Sequence, residues 1–216
     1  MSDSETSEPT GEARVRRARG AQTAGPQAQR SLLRAASELF YREGVRAVGV
    51  DAVVERAGVN KMSLYRQFSS KDELVMAYLE QQDERFFGYV ERSFARHPGE
   101  PAKQLQQCFD DLAVRASVDD YRGCPFVNVS VEFSDTTHPA RQFVFRNKLR
   151  LMARLTDLST AAGADDPEAL ANALGLMIEG VYAASQTYGP GCGPILAAPK
   201  AAAQLIAAAC ERRGAA

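Results

Sequence analysis

Histidine is almost missing from this chain: His97 and His138 are the only two among 216 residues, and each stands directly before a proline. Two histidines so far apart cannot build a histidine-rich metal centre, and no HExxH pair occurs. The four cysteines, Cys108, Cys124, Cys192 and Cys210, include no CxxC pair, so zinc-ligand spacing is lacking as well. No metal and no cofactor is therefore expected. A Gly-rich phosphate loop and a GxSxG elbow are also missing. Cys124 and His138 would form a nucleophile pair only with a third group that nothing supplies, so catalysis is not expected. No apolar run approaches the roughly 18 residues of a spanning helix, and the N-terminus holds no apolar signal core. A cytoplasmic protein with free cysteines is the expectation, with no membrane partner.

What is present is ordinary for a globular protein: 45% apolar and 25% charged residues. The length allows one sizeable core, or a small module joined to a larger one. The formal net charge of −1 conceals an uneven distribution. Between Gln27 and Lys71 stand eight cations against four anions, a local excess of +4. Such a cluster favours phosphate and makes affinity fall with salt.

Residues 1–26 are rich in Ser, Glu, Thr, Gly, Ala and Arg without aliphatic periodicity, which reads as a disordered tail. Acidic residues come first and Arg14, Arg16, Arg17 and Arg19 follow, so a solvated leader and a DNA-touching basic arm are both open. From Gln27 to Glu43, Leu32, Leu33, Ala36, Leu39 and Phe40 recur at helical spacing, and Gly44 is a fitting residue to end that helix. A short helix fits Asp51–Ala57, broken by Gly58. Asn60 can cap a third helix to about Gln67. Ser70 and Glu73 have capping-box spacing for a fourth, reaching about Arg96 before His97-Pro98-Gly99.

Helical patterning continues around Leu105–Val114. Cys124–Phe133 has strand-like local propensity, and a short helix is preferred there for its flanks and all-helical context. Further helices fit Pro139 to Gly163, Pro167 to about Tyr188, and roughly Ala198 to Arg213. The fold class expected is all-α: an N-terminal three-helix module over 27–72, followed by a larger helical bundle over 73–216.

Asp51–Ala57, the turn at Gly58 and Asn60–Gln67 meet the description of a helix-turn-helix. Val53, Ala57, Val59 and Leu64 can pack the pair, leaving Lys61, Met62, Ser63, Tyr65, Arg66 and Gln67 on the outer face. In such motifs the second helix enters the major groove with its N-terminus first. Its front residues reach base edges while cations and hydroxyls hold phosphates.

The run GVRAVGVDAVVERAGVNKMSLYRQFSSKDELV resembles the DNA-binding domain of the TetR family of transcriptional regulators. The closely matching part covers about 45 residues: AGV with a short polar start, then LYRQF, then SSKDEL. The resemblance implies that Asn60, Lys61, Met62 and Ser63 lie at the front of the recognition helix. Tyr65 and Arg66 match positions that touch phosphate or a base. Lys71 matches a lysine that holds the DNA backbone, and Leu64 and Phe68 match core positions. Two positions depart from the pattern. Val48-Gly49-Val50 stands where a phosphate-binding Thr or Ser is common before the second helix. Val54 occupies a position that is usually small.

The resemblance further implies a homodimer through the last two long helices, double-stranded DNA with a pseudo-palindromic operator as partner, and release by a small apolar or amphipathic ligand. Gly175, Gly180, Ala183, Ala184 and Ala201 to Ala203 are small enough for close helix approach. Candidate pocket residues are Phe87, Phe109, Phe126, Met152, Met177 and Tyr182, each also a fitting core residue. The segment Arg122-Gly-Cys-Pro-Phe-Val-Asn128, with Glu132 beyond, resembles one found in a subset of TetR-like regulators. Cys124 is either a thiol sensor, if exposed beside a cation such as Arg122, or a buried packing residue. Control by thiol modification or by a protein partner is the alternative to a small inducer.

Overall fold

The computed structural model describes the backbone of residues 11–210 and the side chains of residues 25–210. Among the described residues there are nine helices and no strand: α1 Gly11–Glu43, α2 Val50–Ala57, α3 Lys61–Gln67, α4 Lys71–Phe94, α5 Pro101–Ala116, α6 Pro125–Glu132, α7 Pro139–Ala161, α8 Pro167–Thr187 and α9 Gly193–Cys210. The chain divides into two compact units, residues 1–75 and 76–216.

The first unit is a three-helix packing of α1, α2 and α3 followed by the first turn of α4. Leu32, Ala36 and Phe40 put one face of α1 into the core, where Val45, Val48, Val53, Leu64, Phe68 and Leu74 are also buried. Their spacing is the helical periodicity seen in the sequence. Gly44 has φ 97°, a left-handed conformation, and its amide bonds back to the Phe40 carbonyl at 3.1 Å. The tail expected over residues 1–26 lies partly outside the described residues. Over 11–26 the structure differs from it: the backbone is helical and Pro26 sits inside α1. Ala and Arg are the commonest residues of that stretch, and both are strong helix formers, so helix needs no aliphatic stripe there.

In the second unit, α7 packs on α5, α6 and α8, while α9 packs on α5 and α8. Leu105, Phe109, Phe126, Leu155, Leu174 and Ile195 are almost fully buried. Four helices, α5 to α8, open on proline, whose missing N–H costs nothing at a first turn. Asp166 caps α8 by accepting from the Ala169 amide at 3.0 Å, and His138 Nδ1 accepts from the Ala140 amide at 3.2 Å. His138 also stacks on Phe133 with ring centroids 4.3 Å apart, which gives this histidine a structural place.

Residues 125–132 are helical despite their β-rich composition, because Phe126 and Val129 sit on one buried face and Asn128 closes the loop before them. Its Nδ2 donates to the Arg122 carbonyl at 2.8 Å, and Gly123 between them has φ 71°. The motif from Arg122 to Asn128 is thus a turn-and-helix start. The last helix begins at Gly193 rather than Ala198, with Pro199 inside it. By length and composition α9 is apolar enough to cross a membrane, where the sequence reading finds no such run. Alanine carries it over that threshold, and Ile195, Ala198, Ala202 and Ile206 are buried within its unit.

Candidate nucleic-acid interface

The site begins at a glycine. Gly58 adopts φ 65°, ψ 33°, and the amides of Gly58 and Val59 bond back to the carbonyls of Glu55 and Val54, each at 3.1 Å. A left-handed residue here ends α2 after eight residues and reverses the chain within two. Asn60 then opens α3. Its Oδ1 accepts from the Ser63 amide at 2.8 Å and from the Ser63 hydroxyl at 3.0 Å. Ser63 is therefore tied into the cap as well as standing near the front of the helix.

Leu64 and Phe68 are buried, which fixes the rotation of α3. The opposite face then consists of Lys61, Met62, Tyr65 and Arg66, all exposed, with Ser63 and Gln67 half-buried beside them. Met62 is 65% and Tyr65 47% exposed. Val53 is buried, while Ala57, Val59 and Val54 are half-buried. A groove of about 650 Å³ runs beside α3, lined by Ser31 of α1 and by Gly58, Asn60, Ser63, Arg66 and Gln67.

The cations are less free than the sequence implies. Lys61 Nζ pairs with Asp51 Oδ1 of α2 at 2.8 Å, and this pairing raises the lysine pKa. Arg56, which the sequence leaves open to solvent, makes a two-pronged bond to Glu38 of α1. That bond comes first among the causes that hold the Glu38 carboxyl below its ordinary value. Lys71 is half-buried, its Nζ 3.5 Å from the Arg46 carbonyl. Sequence reasoning missed all three links, since each joins residues 10 to 25 positions apart.

Gly49 is the N-cap of α2 and offers no side-chain bond, so the missing hydroxyl noted in the sequence is a bare helix start. At α4 the capping box is shifted by one residue. Ser70 Oγ accepts from the Glu73 amide at 3.1 Å, as expected, but Glu73 Oε2 accepts from the amide and hydroxyl of Ser69, at 2.6 and 2.7 Å.

The six pocket residues expected in the larger unit come from five helices, α4 to α8. Phe109 and Phe126 are buried core, and Met152 packs against Gly175 of α8. Phe87 lies beneath the Arg150 guanidinium, 3.3 Å from the ring centroid, and Met177 is half-buried. Tyr182 lines a cavity of about 40 Å³ whose apolar wall is Phe86, Val90, Leu112, Leu151, Leu155 and Ile178. Its polar wall was legible in one respect: Cys108, Asp111 and Arg115 follow each other at helical spacing on α5. Singling out aromatics overlooked them.

Cys124 is 2% exposed, and burial pushes its thiol above the usual range, with Lys148, 3.7 Å from Sγ, acting against that. The sensor expectation required exposure beside Arg122. The cation nearby is Lys148 instead, and it is already bonded to Glu179 at 2.5 Å. Its burial fits the packing reading of this residue.

Residues 32–78 match the family described as bacterial regulatory proteins, tetR family. The chain is 31% identical to the transcriptional regulator AcuR of Cereibacter sphaeroides over 162 residues, 71% of this chain and 74% of that protein. It is 53% identical to the transcriptional activator FasR of Mycolicibacterium smegmatis over 49 residues, which span 23% of this chain and 22% of FasR. Among solved structures, a TetR-type regulator of Streptomyces avermitilis superposes with a TM-score of 0.72 at 32% identity, covering 84% of this chain and 97% of that one.

Proposed function

The chain belongs to the TetR family of bacterial transcriptional regulators, which are DNA-binding proteins and not enzymes, and on that premise we propose that it is a homodimeric repressor released from its operator by a small ligand. The observation that carries the DNA reading is α3. It buries Leu64 and Phe68 and turns Lys61, Met62, Tyr65 and Arg66 outward from a helix capped by Asn60.

In this reading Asn60, Lys61, Met62 and Ser63 approach base edges in the major groove, and Tyr65, Arg66 and Lys71 hold phosphate. Two copies place their recognition helices roughly 34 Å apart, in successive major grooves, so the operator is pseudo-palindromic. Dimerisation uses α8 and α9. Leu176, Gly180 and Ala183 stand exposed along one stripe of α8, and Leu196, Ala203 and Leu205 are exposed on α9. Gly175, Ala184 and Ala202, by contrast, are buried within the unit. A ligand in the larger unit shifts the dimer by binding one of two spacings better than the other. The protein acts in the cytoplasm, where operators are.

The test is recovery of genomic DNA on the purified full chain, followed by a reporter placed behind the recovered sites. A shared two-fold motif and a reporter that falls when the protein is expressed are expected. A reporter that rises would make the protein an activator, and recovered DNA with no common motif would end the operator reading.

A further inference from the structure

We propose that the cavity of the larger unit binds a short aliphatic monocarboxylic acid, with its carboxylate on Arg115 and its apolar body between α4, α5, α7 and α8. The inference rests on the ligand-responsive reading above and names the chemistry of that ligand.

The polar wall carries an aspartate and a guanidinium, and only the aspartate is satisfied. Asp111 Oδ2 accepts from the Ser93 hydroxyl at 2.6 Å. Its Oδ1 accepts from Arg96 at 2.8 Å and from Gln107 at 2.9 Å. The carboxylate is thus saturated and its charge is offset by Arg96. Arg115 is different. It is half-buried on the cavity wall, and among the described residues it makes no ion pair and no side-chain hydrogen bond. Its guanidinium instead lies 4.9 Å from the Tyr89 ring centroid. Arg92 lies 4.6 Å from the same ring, exposed and likewise without a carboxylate partner among the described residues.

A ring face attracts a guanidinium without neutralising it, and it satisfies none of its five N–H donors. A planar carboxylate satisfies two at once, through parallel charge-assisted bonds. The stoichiometry follows from the neighbours. Asp111 and Arg96 cancel, and burial holds the Tyr182 phenol and the Cys108 thiol in their neutral forms, the latter pushed up to about 12. One unpaired positive charge remains on the wall, reinforced by Arg92 beside Tyr89. A monoanion neutralises it, whereas a phosphate dianion would bring a second negative charge close to Asp111. The body is short because a cavity of roughly 150 Å³ is what admits benzene, and this one holds about 40 Å³.

The experiment uses the full chain, titrated by calorimetry with straight-chain acids from acetate to hexanoate, their primary amides, and propyl phosphate. At least one acid is expected to bind, with its amide roughly tenfold weaker or worse, the cost of losing a charged hydrogen-bond pair. Arg115→Gln should bring the acid down to the affinity of its amide while leaving the amide unchanged, and Arg92→Gln should cost less. Equal binding of acid and amide, binding of propyl phosphate in preference to every acid, or an acid preference that survives Arg115→Gln would each overturn the assignment. The acid–amide comparison on the unaltered chain decides the matter even if Arg115→Gln does not fold. Operator binding is measured in the same samples. An acid that binds without altering operator affinity leaves this site standing and removes the inducer role. Neutral compounds that release DNA while no acid binds do the reverse.

Discussion

At the scale of single residues, Asn60 carries the most from its sequence into the site. One side-chain oxygen takes both donors of Ser63 and sets where α3 begins. Asn60→Ala should lower stability by about 1 kcal/mol, read as a reduced urea midpoint without DNA. The interface residues separate by what they are proposed to touch. Tyr65→Ala and Lys71→Ala should weaken binding to every sequence and flatten the dependence of log K on log salt, by about one unit for each phosphate that is no longer held. Substitutions at Lys61 or Met62 should instead redistribute preference among operator variants. An unchanged salt slope for the first pair, or a uniform loss for the second, would reverse those roles. Asn60, Gly58 and Leu64 were legible because caps, left-handed turns and helical periodicity act within four residues. The ion pairs Lys61–Asp51 and Arg56–Glu38 were not, since they depend on which faces of α1, α2 and α3 meet.

At the scale of elements, the entry to α4 offers a test in pH. Hydrogen bonds from the hydroxyl and amide of Ser69 hold the Glu73 carboxyl below its ordinary value of 4.5. A carboxyl depressed in the folded state stabilises it above the unfolded pKa, and that contribution disappears as pH falls through the folded pKa. Glu73→Gln keeps an acceptor but no charge. The difference in Tm between the two proteins should be largest near neutrality and shrink as pH falls below about 4.5, as thermal scans across that range would show. The turn between α2 and α3 depends on backbone instead. Gly58 has open space where a Cβ would stand, so Gly58→Ala meets no clash, yet φ 65° remains unfavourable. A loss of about 1 kcal/mol is expected by urea denaturation. Whole helices were readable from proline starts and apolar spacing. The reciprocal partner of Glu73 was not, because Ser69 and Ser70 differ only in how the chain presents them. The cavity was unreadable for a related reason: its wall is assembled from four helices, and no local pattern distinguishes a phenylalanine facing a void from one facing another side chain.

At the scale of the molecule, the fold leaves apolar surface on α8 and α9 that one copy does not cover. Leu176 is 75% and Leu196 64% exposed. Leu176→Glu should shift the protein from dimer to monomer in sedimentation velocity and weaken operator binding, because the second copy no longer holds the first on DNA. A dimer that survives this change would move the interface elsewhere. The regulator must also search, and here the pair between Lys61 and Asp51 has its consequence. Random DNA offers on the order of 10⁶ to 10⁹ competing sites in a genome. A lysine held 2.8 Å from an exposed aspartate of the same chain meets those sites already paired, so on the proposed reading it adds less to idle attraction than a free one would. Leaving Asp51 is eased because that carboxylate sits in the first turn of α2, where the helix dipole favours negative charge. On the proposed reading Lys61 enters DNA by exchange rather than capture, and a sequence must offer a better acceptor than Asp51 to win it.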